Sequence, residues 1–467
     1  MTVFRSICLT FVALSFCATE HASAREAREQ SAWSTDILGI SEEQLSADYW
    51  IGKTPDADVP FVPQGGIAAL NERTFDADKN LVRLERLPDS FDRETLESYI
   101  SEISQPASSD RFTRDGRKLT AGDYRKYQRA LNLGAVGDDN PVTFGLIVRR
   151  TSMRTYPTDD ETYREGSDRD IDRFQETGLF PGQPVAILHE SKDGEWVFAQ
   201  SYNYRAWMKK ADVAIGGRET ILGFASGDDM LLVTGAKAYT VFNPDDPSVS
   251  EVQLDMGTRL PLGSPEQHGH DILGQNPYAA HIVTLPTANA KGELVLKPVL
   301  IARSQDVSAH YLAFNPRNVI AQAFKFLGER YGWGHDYNGR DCTGFVSEVY
   351  KSMGVLMPRN SGQQGEGAYG VNIRFDENTT YEEKLTAIKA LDPGDLIYIP
   401  GHVMMFLGLD NGVPYVIHDV NGYAHKDAEG KFYRGVLNGV SVTPLTTLHL
   451  SEETRYIDRI YNLKKLR

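Results

Sequence analysis

The sequence is poor in cysteine, in basic charge and in long apolar runs, and each shortage excludes something. Three cysteines occur in 467 residues, Cys8, Cys17 and Cys342, so no disulfide framework holds the fold. Lysine and arginine number 49 against 64 aspartates and glutamates, a net charge of -15. Nucleic acid and anionic lipid demand a basic footprint, so neither is the main partner. The longest apolar stretch, Ile7 to Ala18, follows Arg5 and precedes the small-x-small sequence Ala22-Ser23-Ala24. A membrane span needs about 20 apolar residues, so this is a cleavable export signal over 1–24 rather than an anchor. A lipid attachment at Cys17 would want a small residue where Phe16 stands. The expected mature protein is therefore exported, periplasmic or extracellular, with no integral membrane segment. Cys342 is then its one thiol, and in an oxidising compartment a lone thiol is buried, paired between chains or used.

What is present divides the chain. Residues 25–138 mix helical stretches with polar loops; in Arg93 to Ile103, for example, Leu96, Tyr99, Ile100 and Ile103 recur at helical spacing. From 139 the texture becomes short and strand-like, in two consecutive sets over 139–214 and 215–304, which predicts two small β-barrel modules without a strict internal repeat. From 312 to 467 helices come first, Val319 to Tyr331 and Cys342 to Met353. A long polar loop, Pro358 to Thr380, leads to a helix at Tyr381 to Ala390. Strands at Asp395 to Ile399, His402 to Leu407 and Val413 to His418 follow, so the fold class expected here is α+β.

Cys342 opens an amphipathic helix directly behind a glycine-rich loop. The positive end of a helix stabilises a thiolate, so the position predicts a lowered thiol pKa and a nucleophile. A thiol hydrolase needs a base, and His402 opens a strand just after Pro400-Gly401. His418 lies across the turn Asp410-Asn411-Gly412. A three-residue loop sets His418 opposite Met404 and on the face of His402; a two-residue Asn-Gly turn puts the two histidines on opposite faces unless a bulge corrects the register.

Tyr331-Gly332-Trp333-Gly334, then Arg340-Asp341-Cys342-Thr343-Gly344-Phe345-Val346, together with Asp392-Pro393-Gly394-Asp395-Leu396 and Gly401-His402-Val403, resemble the NlpC-type papain-like peptidoglycan endopeptidases. The resemblance implies Cys342 as nucleophile, His402 as base and His418 as the residue orienting it. His335 stands where the family has a second glycine after the Trp. Upstream, Asp48-Tyr49-Trp50 resembles the N-terminal stabilising segment of multidomain members. Arg154-Thr155-Tyr156-Pro157 with Tyr204-Arg205-Ala206-Trp207 resembles their first SH3-like domain, and Met256-Gly257-Thr258-Arg259-Leu260-Pro261 their second. The implied fold is multidomain: a papain-like α+β catalytic domain preceded by two SH3-like β-barrels and a mainly helical N-terminal segment.

The implied activity is hydrolysis of the γ-D-glutamyl–L-diamino acid bond, with diaminopimelate or lysine, in peptidoglycan stem peptides or muropeptides that carry a free N-terminal L-Ala. By the same resemblance Asp341, helped by Thr343 and completed by Tyr204, meets the free amine, and Arg359 grips the α-carboxylate of D-Glu. Tyr331 supplies an oxyanion donor beside the backbone N–H of Cys342, and Trp333 lines the site. No cofactor is expected. His268-Gly269-His270-Asp271 reads as a polar turn rather than a metal site, and the glycines from Gly362 to Gly370 do not join a strand to a helix as a nucleotide loop would. The competing readings are a thiol amidase or acyltransferase on another wall amide, and a non-catalytic wall-binding protein.

Overall fold

The computed structural model describes residues 33–467 apart from 64, 167, 168 and 225. The apolar leader, Cys8 and Cys17 lie outside the described residues, and Cys342 is the free cysteine among them.

The N-terminal segment is helical where capping and periodicity agree. Arg93–Ile103 begins on Asp92, whose carboxylate accepts the Thr95 N–H, and buries Leu96 and Ile100. Ala121–Ala130 begins on a Thr120/Asp123 capping box. Two β modules follow. The first is a seven-stranded antiparallel sheet in the order Gln175–Leu179, Thr151–Arg154, Arg205–Lys209, Trp196–Gln200, Pro184–Glu190, Thr143–Ile147, Val213–Gly216. The second has five strands in the order Leu294–Ala302, Ala280–Ala288, Arg259–Gly263, Met230–Val233, Val307–Ser308. Beside it the short strand Lys237–Tyr239 pairs with Gln253–Asp255.

The C-terminal part packs two helices on a six-stranded antiparallel sheet ordered Val371–Arg374, Asn462–Lys465, Leu396–Ile399, His402–Asp410, Val413–Lys426, Phe432–Pro444. Helix Pro316–Phe324 starts on an Asn315 cap with proline in its first turn. Its Val319, Ile320 and Ala323 meet Phe345, Val346 and Val349 of helix Cys342–Lys351, and both rest on Val403, Met405 and Leu407 of the sheet. The first helix stops well short of the expected Tyr331. Gly328 turns the chain at φ +79°, and Glu329 to Tyr331 then bond to the strand edge at Asn438 to Val440. The polar stretch from Pro358 to Thr380, expected as a loop, holds helix Ser361–Glu366 and the edge strand Val371–Arg374.

Candidate active site

The register of the two central strands decides whether the histidines meet. The turn between them is the two-residue Asn411-Gly412, with Asp410 opposite Val413. Alone, that register would throw His402 and His418 to opposite faces. A bulge at Leu407 shifts it by one residue, so that Met405 faces Ile417 and His418 comes level with Met404. His402 Nε2 then lies 2.9 Å from His418 Nδ1. The chain of contacts continues: His418 Nε2 is 3.0 Å from the Thr443 hydroxyl, with both side chains wholly buried. Thr443 carries no motif and is invisible to sequence reading.

Cys342 sits at the first turn of its helix, 7% exposed, and its sulfur takes a hydrogen bond from the backbone N–H of Val403, the residue next to His402. The helix end is where the sequence put it, but the expected lowering of the thiol pKa is overturned. Burial, then the carboxylates of Asp341 and Asp419, push the thiol up to about 12, and the Val403 N–H and Arg359 only partly offset them. Burial likewise brings His402 down to about 4. The resting pair is therefore a neutral thiol and a neutral imidazole. With His402 Nε2 engaged by His418, Nδ1 is the ring nitrogen left for a proton. The ring edge of Tyr456, another residue no motif pointed to, packs on His402 at 6.3 Å between centroids.

Asp341 and Arg359, expected to hold opposite ends of a substrate, are bonded to each other. Arg359 Nη2 donates to Asp341 Oδ2 at 2.7 Å and Nη1 to Asp341 Oδ1 at 3.1 Å, while Nε donates to Thr177 Oγ1 at 2.6 Å. Asp341 also caps the helix through the Gly344 N–H at 2.8 Å and accepts from Thr343 Oγ1 at 2.9 Å. Burial works against this carboxylate, but the guanidinium holds it well below the usual range. A fork satisfied in this way is not open to a second carboxylate.

The first β module adds polar side chains around Arg359. Glu176 accepts from Tyr204 at 2.5 Å and from Thr155 at 2.5 Å, and burial raises its pKa. Glu176 was missed in the sequence because strand Gln175–Leu179 bears no signature. Tyr331 is buried, its backbone N–H fixed on the Asn438 carbonyl at 3.0 Å; burial and then the Cys342 thiol raise its pKa far. Trp333 donates from its indole to the Gln175 carbonyl at 3.1 Å.

His335 explains the irregular loop before Cys342. At φ +67°, its side chain is wedged between Gly178 and Gly344, where an added Cβ would stand 2.8 Å from the His335 Cβ and 2.6 Å from Nε2. Nδ1 accepts the Gly178 N–H at 3.4 Å, which leaves Nε2–H to donate to Glu348 at 3.0 Å. Arg340, wholly buried, does the same for the second module. It donates to Asp255 at 3.0 Å and the Ala236 carbonyl at 3.0 Å, as well as to Glu348 at 2.6 Å and Glu329. Both β modules are thus bolted to the start of the Cys342 helix.

Residues 328–442 match the NlpC/P60 family. The chain carries an NlpC/P60 domain. Residues 160–209, within the seven-stranded sheet, match the SH3 domain of SH3b1 type. Among curated relatives, a γ-D-glutamyl-L-lysine dipeptidyl-peptidase of Bacillus cereus is 26% identical over 254 residues, 50% of this chain and 66% of that protein. A probable endopeptidase p60 of Listeria seeligeri is 33% identical over 112 residues, 21% of this chain and 18% of the relative. The match thus spans just under two thirds of the first relative and about a fifth of the second. In fold, the chain is similar to an NlpC/P60 endopeptidase from Photobacterium damselae subsp. piscicida, with a TM-score of 0.71 at 16% identity, covering 89% of this chain and 96% of that one.

Proposed function

We propose that this protein is an exported cysteine peptidase. Its substrate is the γ-D-glutamyl–L-diamino acid bond of peptidoglycan stem peptides with a free N-terminal L-Ala. The observation that carries the reading is the chain His402–His418–Thr443, which starts beside Val403, the residue whose N–H meets the Cys342 sulfur, while the Glu176–Tyr204 pair and Cys342 both lie within the influence of Arg359.

The neutral resting pair defines the first step. As the sulfur attacks the γ-carbonyl carbon, its proton passes to His402 Nδ1, so the imidazolium forms only as the C–S bond does. His418 Nδ1 accepts the His402 Nε2–H and spreads the new charge toward Thr443. The Cys342 N–H at the helix start and the Tyr331 hydroxyl are the donors for the tetrahedral oxyanion. The imidazolium then protonates the departing amine as the C–N bond breaks. Water, deprotonated by the same ring, releases L-Ala-D-Glu from the sulfur. Glu176, with Tyr204, offers a carboxylate to the L-Ala ammonium, and a peptide still joined through that nitrogen to a glycan carries no charge there to meet it.

The test is digestion of the free peptide L-Ala-γ-D-Glu-diaminopimelate, its lysine counterpart and intact sacculi, with products weighed by mass spectrometry. Release of L-Ala-D-Glu from the free peptides, lost in Cys342→Ala, is the expected result. Cleavage at another amide instead would establish the amidase reading in its place.

A further inference from the structure

Arg173 is a cation beside the site with nothing of opposite charge to hold. It ends the segment that leads into strand Gln175–Leu179, and its backbone N–H is fixed on the Thr162 carbonyl at 2.6 Å. Its guanidinium lies over the Trp333 ring, 4.8 Å from the centroid. Its Nε is sealed from solvent and has no acceptor, and among the described residues no carboxylate pairs with the guanidinium. The adjacent carboxylate, Asp172, is engaged by Arg154 at 2.8 Å and by the N–H groups of Thr162 and Phe174. Burial, with Arg164 and Arg111 as further cations nearby, brings the group down to about 10, an environment that favours the arrival of an anion.

The place is as telling as the vacancy of charge. Arg173 lies close enough to Tyr331, and Tyr331 to Cys342, for each to influence the other's ionisation. Trp333, which Arg173 covers, is hydrogen-bonded to Gln175, the neighbour of Glu176. One short stretch of the first β module thus carries both a carboxylate, Glu176, and a guanidinium, Arg173, on either side of the residue that holds Trp333. A stem peptide with a free amine also carries carboxylates, and Arg359, the expected partner for one of them, is already closed on Asp341.

We propose that Arg173, stationed over Trp333, recognises a carboxylate of the bound stem peptide through its planar fork. The proposal rests on the stem-peptide reading above and adds a residue that selects the substrate's charge. Three carboxylates of L-Ala-γ-D-Glu-meso-diaminopimelate are available, one on D-Glu and two on the diamino acid, and they share one chemistry.

The experiment measures binding calorimetrically to full-length protein carrying Cys342→Ala, so that affinity is read without turnover. The ligands are that tripeptide and its three versions with one carboxylate at a time converted to the amide. Arg173→Gln is expected to weaken the parent peptide by about 10- to 100-fold, the worth of a charge-assisted pair. One amide weakens binding to the Arg173 protein by a similar factor and costs the Gln variant nothing further, which names the carboxylate. Arg173→Lys restores part of the loss. An equal loss for the parent and all three amides, no loss at all, or no binding of any of the four overturns the proposal. Normal binding by the Cys342→Ala protein with no cleavage by the unsubstituted enzyme would instead sink the peptidase reading and leave Arg173 standing.

Discussion

Thr443→Val separates the outermost link of the histidine chain from everything that touches substrate. Valine matches threonine in shape but removes the oxygen 3.0 Å from His418 Nε2, in a place closed to water. Keeping the present tautomer then leaves a buried N–H without an acceptor, at about 1–3 kcal/mol. Moving the proton to Nδ1 escapes that cost but makes His418 a donor facing His402 Nε2, so His402 loses the acceptor that leaves its Nδ1 free as a base. Either way the transition state, in which His402 is charged, loses support. At about 1.4 kcal/mol per tenfold, kcat should fall roughly 5- to 100-fold. KM should hold, because Thr443 is buried behind two rings. Thr443→Ser keeps the oxygen and should restore most of kcat. Steady-state rates on the free tripeptide, with a melting curve for each variant, decide it. A valine variant with wild-type kcat and a merely lower Tm would show that His418 needs no outer partner.

Glu176→Gln should raise KM for peptides with a free L-Ala amine by about 10-fold or more, as the ammonium then faces a neutral amide instead of a carboxylate. N-acetylated peptides, which carry no ammonium, should discriminate little between the two proteins. Alkylation of Cys342 by iodoacetamide should be slow at pH 7 and still climbing above pH 9, as fits a thiol raised to about 12; a plateau near neutrality would mean a resting thiolate–imidazolium pair. Asp419, 1% exposed with neither oxygen bonded, has a pKa raised far by burial, then by Asp341 and Glu329. A raised carboxylate pKa favours the unfolded state once the pH exceeds the unfolded value near 3.8. Asp419→Ala should therefore gain about 1–3 kcal/mol at pH 7 in denaturant melts, with the gain shrinking as the pH falls through 4. A less stable variant at pH 7 would contradict the sign.

The parts of the site legible in the sequence are those whose chemistry is local. Cys342 behind its glycine loop and His402 at a strand start follow from caps and turns spanning a few residues. The pairing of His418 with His402 was legible only as a condition, because the Leu407 bulge that satisfies it follows from packing across the sheet and leaves no mark in composition. Asp341 and Arg359 are close in space for a reason sequence could not give: Thr177 and His335 crowd Arg359 toward the helix cap. Glu176 and Arg173 carry no signature because they act from the first β module, and Thr443 because it acts from an outer strand of the C-terminal sheet. The raised thiol is the sharpest lesson, since helix position argues one way and burial beside two carboxylates argues the other with greater force.

Arg340 has a consequence for how such a chain can be cut and recombined. It stands two residues before the sulfur and takes counter-charges from Asp255 in one module and from Glu329 and Glu348 in another. The peptidase portion is therefore not a cassette that can be lifted out and grafted elsewhere. Sever it near 304, and the guanidinium is laid open to water, no longer fixing the angle at which the reactive helix begins. Drift at Asp255, in the second β module, would be felt at the start of the Cys342 helix.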